Sequence, residues 1–159
     1  NKNFDRSNLN HMVIYVRTCI RANRNIDQTL RITGALLSEN TFRCLRSLVT
    51  SVNNAVQKMP EKTIEIINFD DRSDQEFSDQ IKFILQKLKC KWEFRQTTQA
   101  GQGNSLHEQF AHGKNQNALV YFCEDDYLHE PDAIETCWRF YDDMAVKLSS
   151  HLLIYPQEH

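Results

Sequence analysis

Three consecutive acids, Glu124-Asp125-Asp126, follow directly on the apolar run Ala118–Cys123. That run has the length and β-rich composition of a buried strand. A strand that ends in carboxylates delivers them to the rim of its sheet. In extended backbone, residues two apart point to the same side. Glu124 and Asp126 can then face one point while Asp125 faces away. Two hard oxygen ligands on one side suit Mg²⁺ or Mn²⁺, and such an ion suits a diphosphate. A solvated acidic turn has the same composition, so the company the motif keeps decides its weight. Three further polar clusters stand out. Arg17-Thr18 follows Met12–Val16, Asp70-Asp71-Arg72-Ser73-Asp74 follows the isoleucine-rich Thr63–Phe69, and the glycine loop Gly101–Ser105 follows Lys91–Thr97.

The elements that must position these clusters can be read in order. Met12–Val16 is a first strand, and residues 19–37 read as a loop with one helical turn. From Ser38 or Asn40, Phe42, Leu45, Leu48, Val49, Val52, Val56 and Met59 recur at helical spacing until Pro60 ends the run. Thr63–Phe69 is a second strand. Ser73-Asp74-Gln75-Glu76 has the form of a capping box opening a helix whose face is Phe77, Ile81, Ile84 and Leu88. Lys91–Thr97 is a third strand. A short helix after the glycine loop would bury Leu106 and Phe110 and stop at Gly113. Ala118–Cys123 is the fourth and central strand. Pro131 opens a last helix with Ile134, Trp138, Tyr141 and Ala145 inward, and Leu152–Tyr155 reads as a fifth strand.

Strands alternating with helices predict an α/β, Rossmann-like three-layer sandwich with a mainly parallel sheet. Ligands of such sheets bind outside the carboxyl ends of the strands. All four polar clusters fall at that edge, whereas unrelated solvated turns would fall at either end. This convergence lifts the acidic cluster above an ordinary acidic turn.

Composition bounds the function classes. A chain of 159 residues reads as one domain, with residues 1–10 a flexible tail and 11–159 the folded part. With 19 basic and 21 acidic residues there is no basic excess to track a nucleic-acid backbone. Arg17, Arg21, Arg24 and Arg31 form the one basic grouping, which composition alone reads as a solvated loop. Five cysteines without a Cys-x-x-Cys spacing argue against a disulfide framework or zinc knuckle, and fit a reducing, cytoplasmic setting. No apolar run approaches the roughly 20 residues of a membrane span.

The motifs resemble those of family 2-type glycosyltransferases with the GT-A fold. Asp70-Asp71-Arg72-Ser73-Asp74 resembles their Asp-Asp-Gly-Ser-x-Asp signature, Glu124-Asp125-Asp126 their Asp-x-Asp element, and Gly103-Asn104-Ser105 the Gly-Asn-Ser that opens the preceding helix. The resemblance spans roughly Met12 to Tyr155. It implies a nucleotide-sugar-binding domain with a UDP-sugar donor, a Mn²⁺ or Mg²⁺ cofactor, and a sugar, lipid or protein acceptor. It implies nucleotide-binding roles for Arg17, Thr18, Asp70, Asp71, Gly103, Asn104 and Asp125. Metal binding falls to Asp126, with Glu124 assisting directly or through water. Arg72 stands where the family has glycine, Arg17 where it often has proline, and Glu124 where it has aspartate.

In such a reaction a C1–O bond breaks and a diphosphate leaves, so negative charge grows on phosphate oxygens that a divalent ion can stabilise. An inverting transferase also needs a carboxylate base for the acceptor hydroxyl. In the family that base comes from an acceptor half, which in this chain is expected to be missing or very short. Glu158 is the nearest late acid. Two other readings compete. A metal-dependent nucleotidyltransferase would carry a Gly-x-Gly near the first strand, and none is present there. A flavodoxin-like interaction module would carry the acids without using them.

Overall fold

The computed structural model describes residues 10–21 and 37–154. Among these residues four strands, β1 (His11–Thr18), β2 (Thr63–Asp70), β3 (Lys91–Gln96) and β4 (Leu119–Cys123), alternate with four helices, α1 (Leu37–Lys58), α2 (Gln75–Leu85), α3 (Gln102–Gly113) and α4 (Ala133–Leu148). The strands form one all-parallel sheet in the order β3-β2-β1-β4. The fold is the expected Rossmann-like α/β arrangement.

Alternate residues of each strand feed opposite faces. Met12, Ile14 and Val16 of β1, with Ile64 and Ile66 of β2, pack with Leu45, Leu48, Val49 and Val52 of α1, Ile81, Ile84 and Leu85 of α2, and Ile134 and Trp138 of α4. Val13, Tyr15, Ile67 and Phe69 point to the other face, where Val120 and Phe122 join them. There α3 lies against the sheet: Phe110 meets the Phe122 ring edge-on at 4.7 Å. The crossover through α3 thus runs on the opposite face from those through α1 and α2. Right-handed connections demand this, because the chain reverses direction across the sheet after β3. The reversal makes the gap between β1 and β4 the topological switch point, where ligands of such sheets bind.

Several expected details change. The fourth strand is not central: among the described residues β4 pairs only with β1, and only Cys123 of its residues is fully buried. Residues 151–154 form no fifth strand; Leu152 and Ile154 instead pack beside Tyr141 and Ala145. Tyr155, and residues 22–36 of the expected loop, lie outside the described residues. The inward face of α3 is Ser105, Gln109 and Gly113, while Phe110 is 52% exposed. Gly113 is no left-handed stop. It lets α3 close on the sheet, since a Cβ there would sit 3.0 Å from Phe122 Cζ. The inward face of α4 is Ile134, Trp138, Tyr141 and Ala145, as expected. Its amino end is held from α1, where Ser51 Oγ accepts the Ile134 N–H at 3.0 Å.

Candidate functional site

Strand parity sorts the polar residues at the carboxyl edge into two sets. The β1–β2 register pairs Arg17 with Phe69 and Thr18 with Asp70, and the β1–β4 register ends on Val16 with Cys123. One further step along each strand brings Asp71 and Glu124 to the α3 face with Arg17. Thr18, Asp70 and Asp125 belong to the α1–α2 face.

On the α3 face everything converges on the Arg17 guanidinium. Its Nη2 donates to Asp71 Oδ2 at 2.8 Å, its Nη1 to Glu124 Oε2 at 3.2 Å and its Nε to Ser105 Oγ at 2.6 Å. One side chain thereby ties together the ends of β1, β2 and β4 and the start of α3. Asp71 is 2% exposed and its second oxygen, Oδ1, accepts the Gly101 N–H at 2.9 Å. Gly101 adopts φ +111°, open to glycine and strained for other residues, and this turns its N–H toward Asp71. Arg21 adds a second cation, with Nη2 donating to the Asp71 carbonyl at 3.1 Å and lying 3.7 Å from Oδ1. Burial works against the Arg17 charge, but the bonds to Asp71 and Glu124 outweigh it and raise its pKa. The solvated-loop reading of the basic grouping therefore fails for Arg17 and Arg21, which are ion-paired; Arg24 and Arg31 lie outside the described residues.

On the other face, Asp70 is fully buried and saturated. Oδ1 accepts Thr18 Oγ1 at 2.9 Å and Ser73 Oγ at 2.6 Å, and Oδ2 accepts the Ser73 N–H at 2.9 Å. Ser73 Oγ also accepts the Ile20 N–H at 2.8 Å. The serine of the expected capping box is thus spent on Asp70 and the β1 exit. The N-cap of α2 is Asp74, which makes no side-chain cap bond. Arg72, in the family's glycine position, takes φ +57° and donates to the Thr98 carbonyl at 2.8 Å.

The acids after β4 divide among three environments. Glu124 pairs with Arg17. Asp125 turns inward, its Oδ2 accepting the Cys19 N–H at 3.1 Å and approaching Thr41 Oγ1 at 3.5 Å. Burial pushes the Asp125 carboxyl up to about 6, with Asp126 and Glu124 adding to the effect and the Cys19 N–H and Arg17 opposing it. Asp126 is exposed at the rim, in a turn rather than in extended backbone. Gly103 and Asn104 lie exposed in the first turn of α3, and Asn104 Nδ2 donates to the Ala100 carbonyl at 2.8 Å. Glu158 lies outside the described residues.

Two histidines are absorbed by packing. His129 donates from Nδ1 to the Tyr127 carbonyl at 3.2 Å and accepts from Tyr121 OH at 2.9 Å. His112 bonds Tyr15 OH at 2.6 Å and packs edge-on against its ring. Ser105, Gly101 and Arg21 stood in the glycine loop and the basic grouping of the sequence without an assigned role, and Cys19 had none either; all four bond to the acids or to Arg17 here. Ser105 carried a signal, since it occupies the last place of the Gly-Asn-Ser element.

All five cysteines are free thiols. Among the described residues no helix is long and apolar enough to cross a membrane. None of their His, Cys, Asp and Glu side chains gather in a group of three able to hold a metal ion. No curated protein matches the chain. The glycosyl transferase family 2 model matches residues 39–150, from the third residue of α1 to just past the end of α4, and so takes in both acidic clusters and the glycine loop. With more than half its length matched, and with the parallel sheet that such a domain requires, the chain belongs to glycosyl transferase family 2.

Proposed function

We propose that this domain binds a uridine diphosphate sugar together with Mn²⁺ or Mg²⁺ and presents the sugar for transfer to an acceptor. The observation that carries the reading is the meeting of Arg17, Asp71, Ser105 and Glu124 at the switch point between β1 and β4. Arg17 and Asp71 supply a donor and an acceptor for the base and ribose. The first turn of α3, with Gly103 and Asn104, turns its N–H groups and positive dipole end toward the same rim, which favours phosphate. Thr18, Asp70 and Asp125 act from behind, holding the exits of β1 and β2 in place.

The donor set suits a hard cation. Asp126 is exposed, and the Glu124 side chain is 24% exposed. Two carboxylates leave coordination positions for phosphate oxygens, the arrangement Mg²⁺ and Mn²⁺ take beside nucleotides. An ion held by Asp126 and Glu124 would supply Lewis-acid stabilisation to the departing diphosphate.

Titrate Mn²⁺ in the presence of UDP, following its effect on solvent relaxation, for wild type, Asp126→Asn and Asp125→Asn. Asp126→Asn should abolish nucleotide-dependent metal binding and Asp125→Asn should weaken it far less. Equal metal binding by Asp126→Asn and wild type would refute the assignment. A thermal-shift panel of UDP, CDP and GDP with metal tests the base; no shift with any of them would refute donor binding itself.

A further inference from the structure

We infer that Arg17 couples the nucleotide and metal halves of the site, because Glu124 holds one arm of its guanidinium until a cation claims that carboxylate. The inference rests on the donor-site reading above and adds a mechanism that the reading does not require. Arg17 bonds residues of both halves. Nη2 stays on Asp71 at 2.8 Å, and Nη1 spans 3.2 Å to Glu124. The second bond is the longer one, and its acceptor is the more exposed, with side-chain exposures of 24% for Glu124 and 2% for Asp71. If one bond is to be exchanged, it is the bond to Glu124.

The rest of the geometry keeps the arginine in place during such an exchange. Nε is fixed on Ser105 Oγ at 2.6 Å, and Ser105 Oγ in turn donates to the Gln102 carbonyl at 2.9 Å. Asp71 is itself anchored by the Gly101 N–H. Losing the Glu124 bond therefore frees Nη1 without releasing the side chain. The freed donor stays beside the first turn of α3, where a diphosphate would lie. A cation on Glu124 and a diphosphate oxygen on Nη1 each remove the competitor of the other. Such coupling is reciprocal. Without a cation, Glu124 shields the arginine from anions. Without a nucleotide, the arginine shields Glu124 from cations.

The experiment is a double-mutant cycle with Arg17→Gln, Glu124→Gln and the double variant, each checked for folding by its urea curve. The first readout is the affinity for UDP without metal, measured by amide NMR titration, which reaches millimolar dissociation constants. Glu124→Gln should raise this affinity on the order of tenfold in the wild-type background, the scale of one charged hydrogen bond, and leave it unchanged in the Arg17→Gln background. General relief of negative charge would give the same gain in both backgrounds, and that result overturns the inference. The second readout is the factor by which UDP strengthens Mn²⁺ binding, which should fall on the order of tenfold in Arg17→Gln. An unchanged factor also overturns the inference while leaving the donor site standing. Absence of UDP binding to wild type with Mn²⁺ would overturn the donor reading and this inference with it.

Discussion

Asp70 and Asp71 are neighbours in sequence, yet the structure gives them different surroundings, and replacing Asp70 by asparagine separates the two roles. Asp70 is fully buried and its two oxygens accept from Thr18 Oγ1, Ser73 Oγ and the Ser73 N–H. An asparagine has one oxygen to offer. If its amide nitrogen takes the Oδ2 position, it faces the Ser73 N–H, a donor that cannot turn away. If it takes the Oδ1 position, the Thr18 and Ser73 hydroxyls lose their acceptor. Thr18 Oγ1 already accepts from Asn68 Nδ2 at 2.9 Å and Ser73 Oγ from the Ile20 N–H, so each could take the amide only on its second lone pair, which leaves its own O–H without the Asp70 acceptor. A buried unsatisfied donor costs roughly 1–3 kcal/mol, and bonds to a charged acceptor are worth roughly 1.5–3 kcal/mol each. Relief from burying a charge offsets part of this. The net expectation is a loss of about 2–4 kcal/mol, a large share of the 5–15 kcal/mol typical of a whole domain. Urea unfolding followed by circular dichroism measures it. Under conditions where the variant remains folded, its UDP affinity should stay within about threefold of wild type, because Asp70 does not reach the α3 face. A midpoint close to wild type combined with a tenfold loss of UDP affinity would refute this division of labour.

Asp71→Ala should do the reverse in binding, weakening UDP by on the order of 1.5–3 kcal/mol for one charge-assisted hydrogen bond, and unchanged calorimetric affinity would remove Asp71 from the base site. Gly113→Ala should destabilise the fold by roughly 1–3 kcal/mol, because its Cβ would press on Phe122 Cζ at 3.0 Å, and Phe122→Leu should recover much of that loss in a urea titration. Burial lowers the His129 pKa, so the folded protein binds this proton less readily than the unfolded chain. The resulting stability is present above the unfolded value near ~6.5 and is lost as pH falls below it. His129→Gln should therefore flatten the fall in melting temperature between pH 7 and pH 5, and an unchanged slope would show that His129 does not carry it.

Much of this arrangement was legible in the residues. Apolar runs bounded by polar clusters marked β1, β2 and β4, because a strand covered by helices is apolar and its polar residues collect at its ends, while Trp92 and Phe94 alternating with charges marked β3. Spacing of three and four marked α1, α2 and α4. The alternation of strand and helix implied a parallel sheet with its clusters on one edge; within them Arg17 and Asp71 were named through the family resemblance and Glu124 from its place after the fourth strand. Local pattern was less reliable where two uses of one residue compete. Ser73 fits a capping box, yet its hydroxyl goes to the buried Asp70, since a carboxylate in the interior demands donors more strongly than an exposed helix end does. Leu106 and Phe110 fit a helix face, but the side of α3 that meets the sheet is Ser105, Gln109 and Gly113, and at Gly113 the Phe122 ring leaves no room for a Cβ.

The tertiary structure alone decided which acids share a site. Side-chain parity along each strand is a property of the sequence, but it sorts residues only into two anonymous sets. The strand order β3-β2-β1-β4 set β1 beside β4, and a right-handed crossover then put α3 on the face opposite α1. With α3 in place, Arg17, Asp71 and Glu124 became the set that meets Ser105, and Thr18, Asp70 and Asp125 became the set behind them on the α1–α2 face. Contacts between residues as distant in sequence as Arg17 and Glu124 depend on how strands are ordered and which face each crossover takes. No local run of residues carries that information.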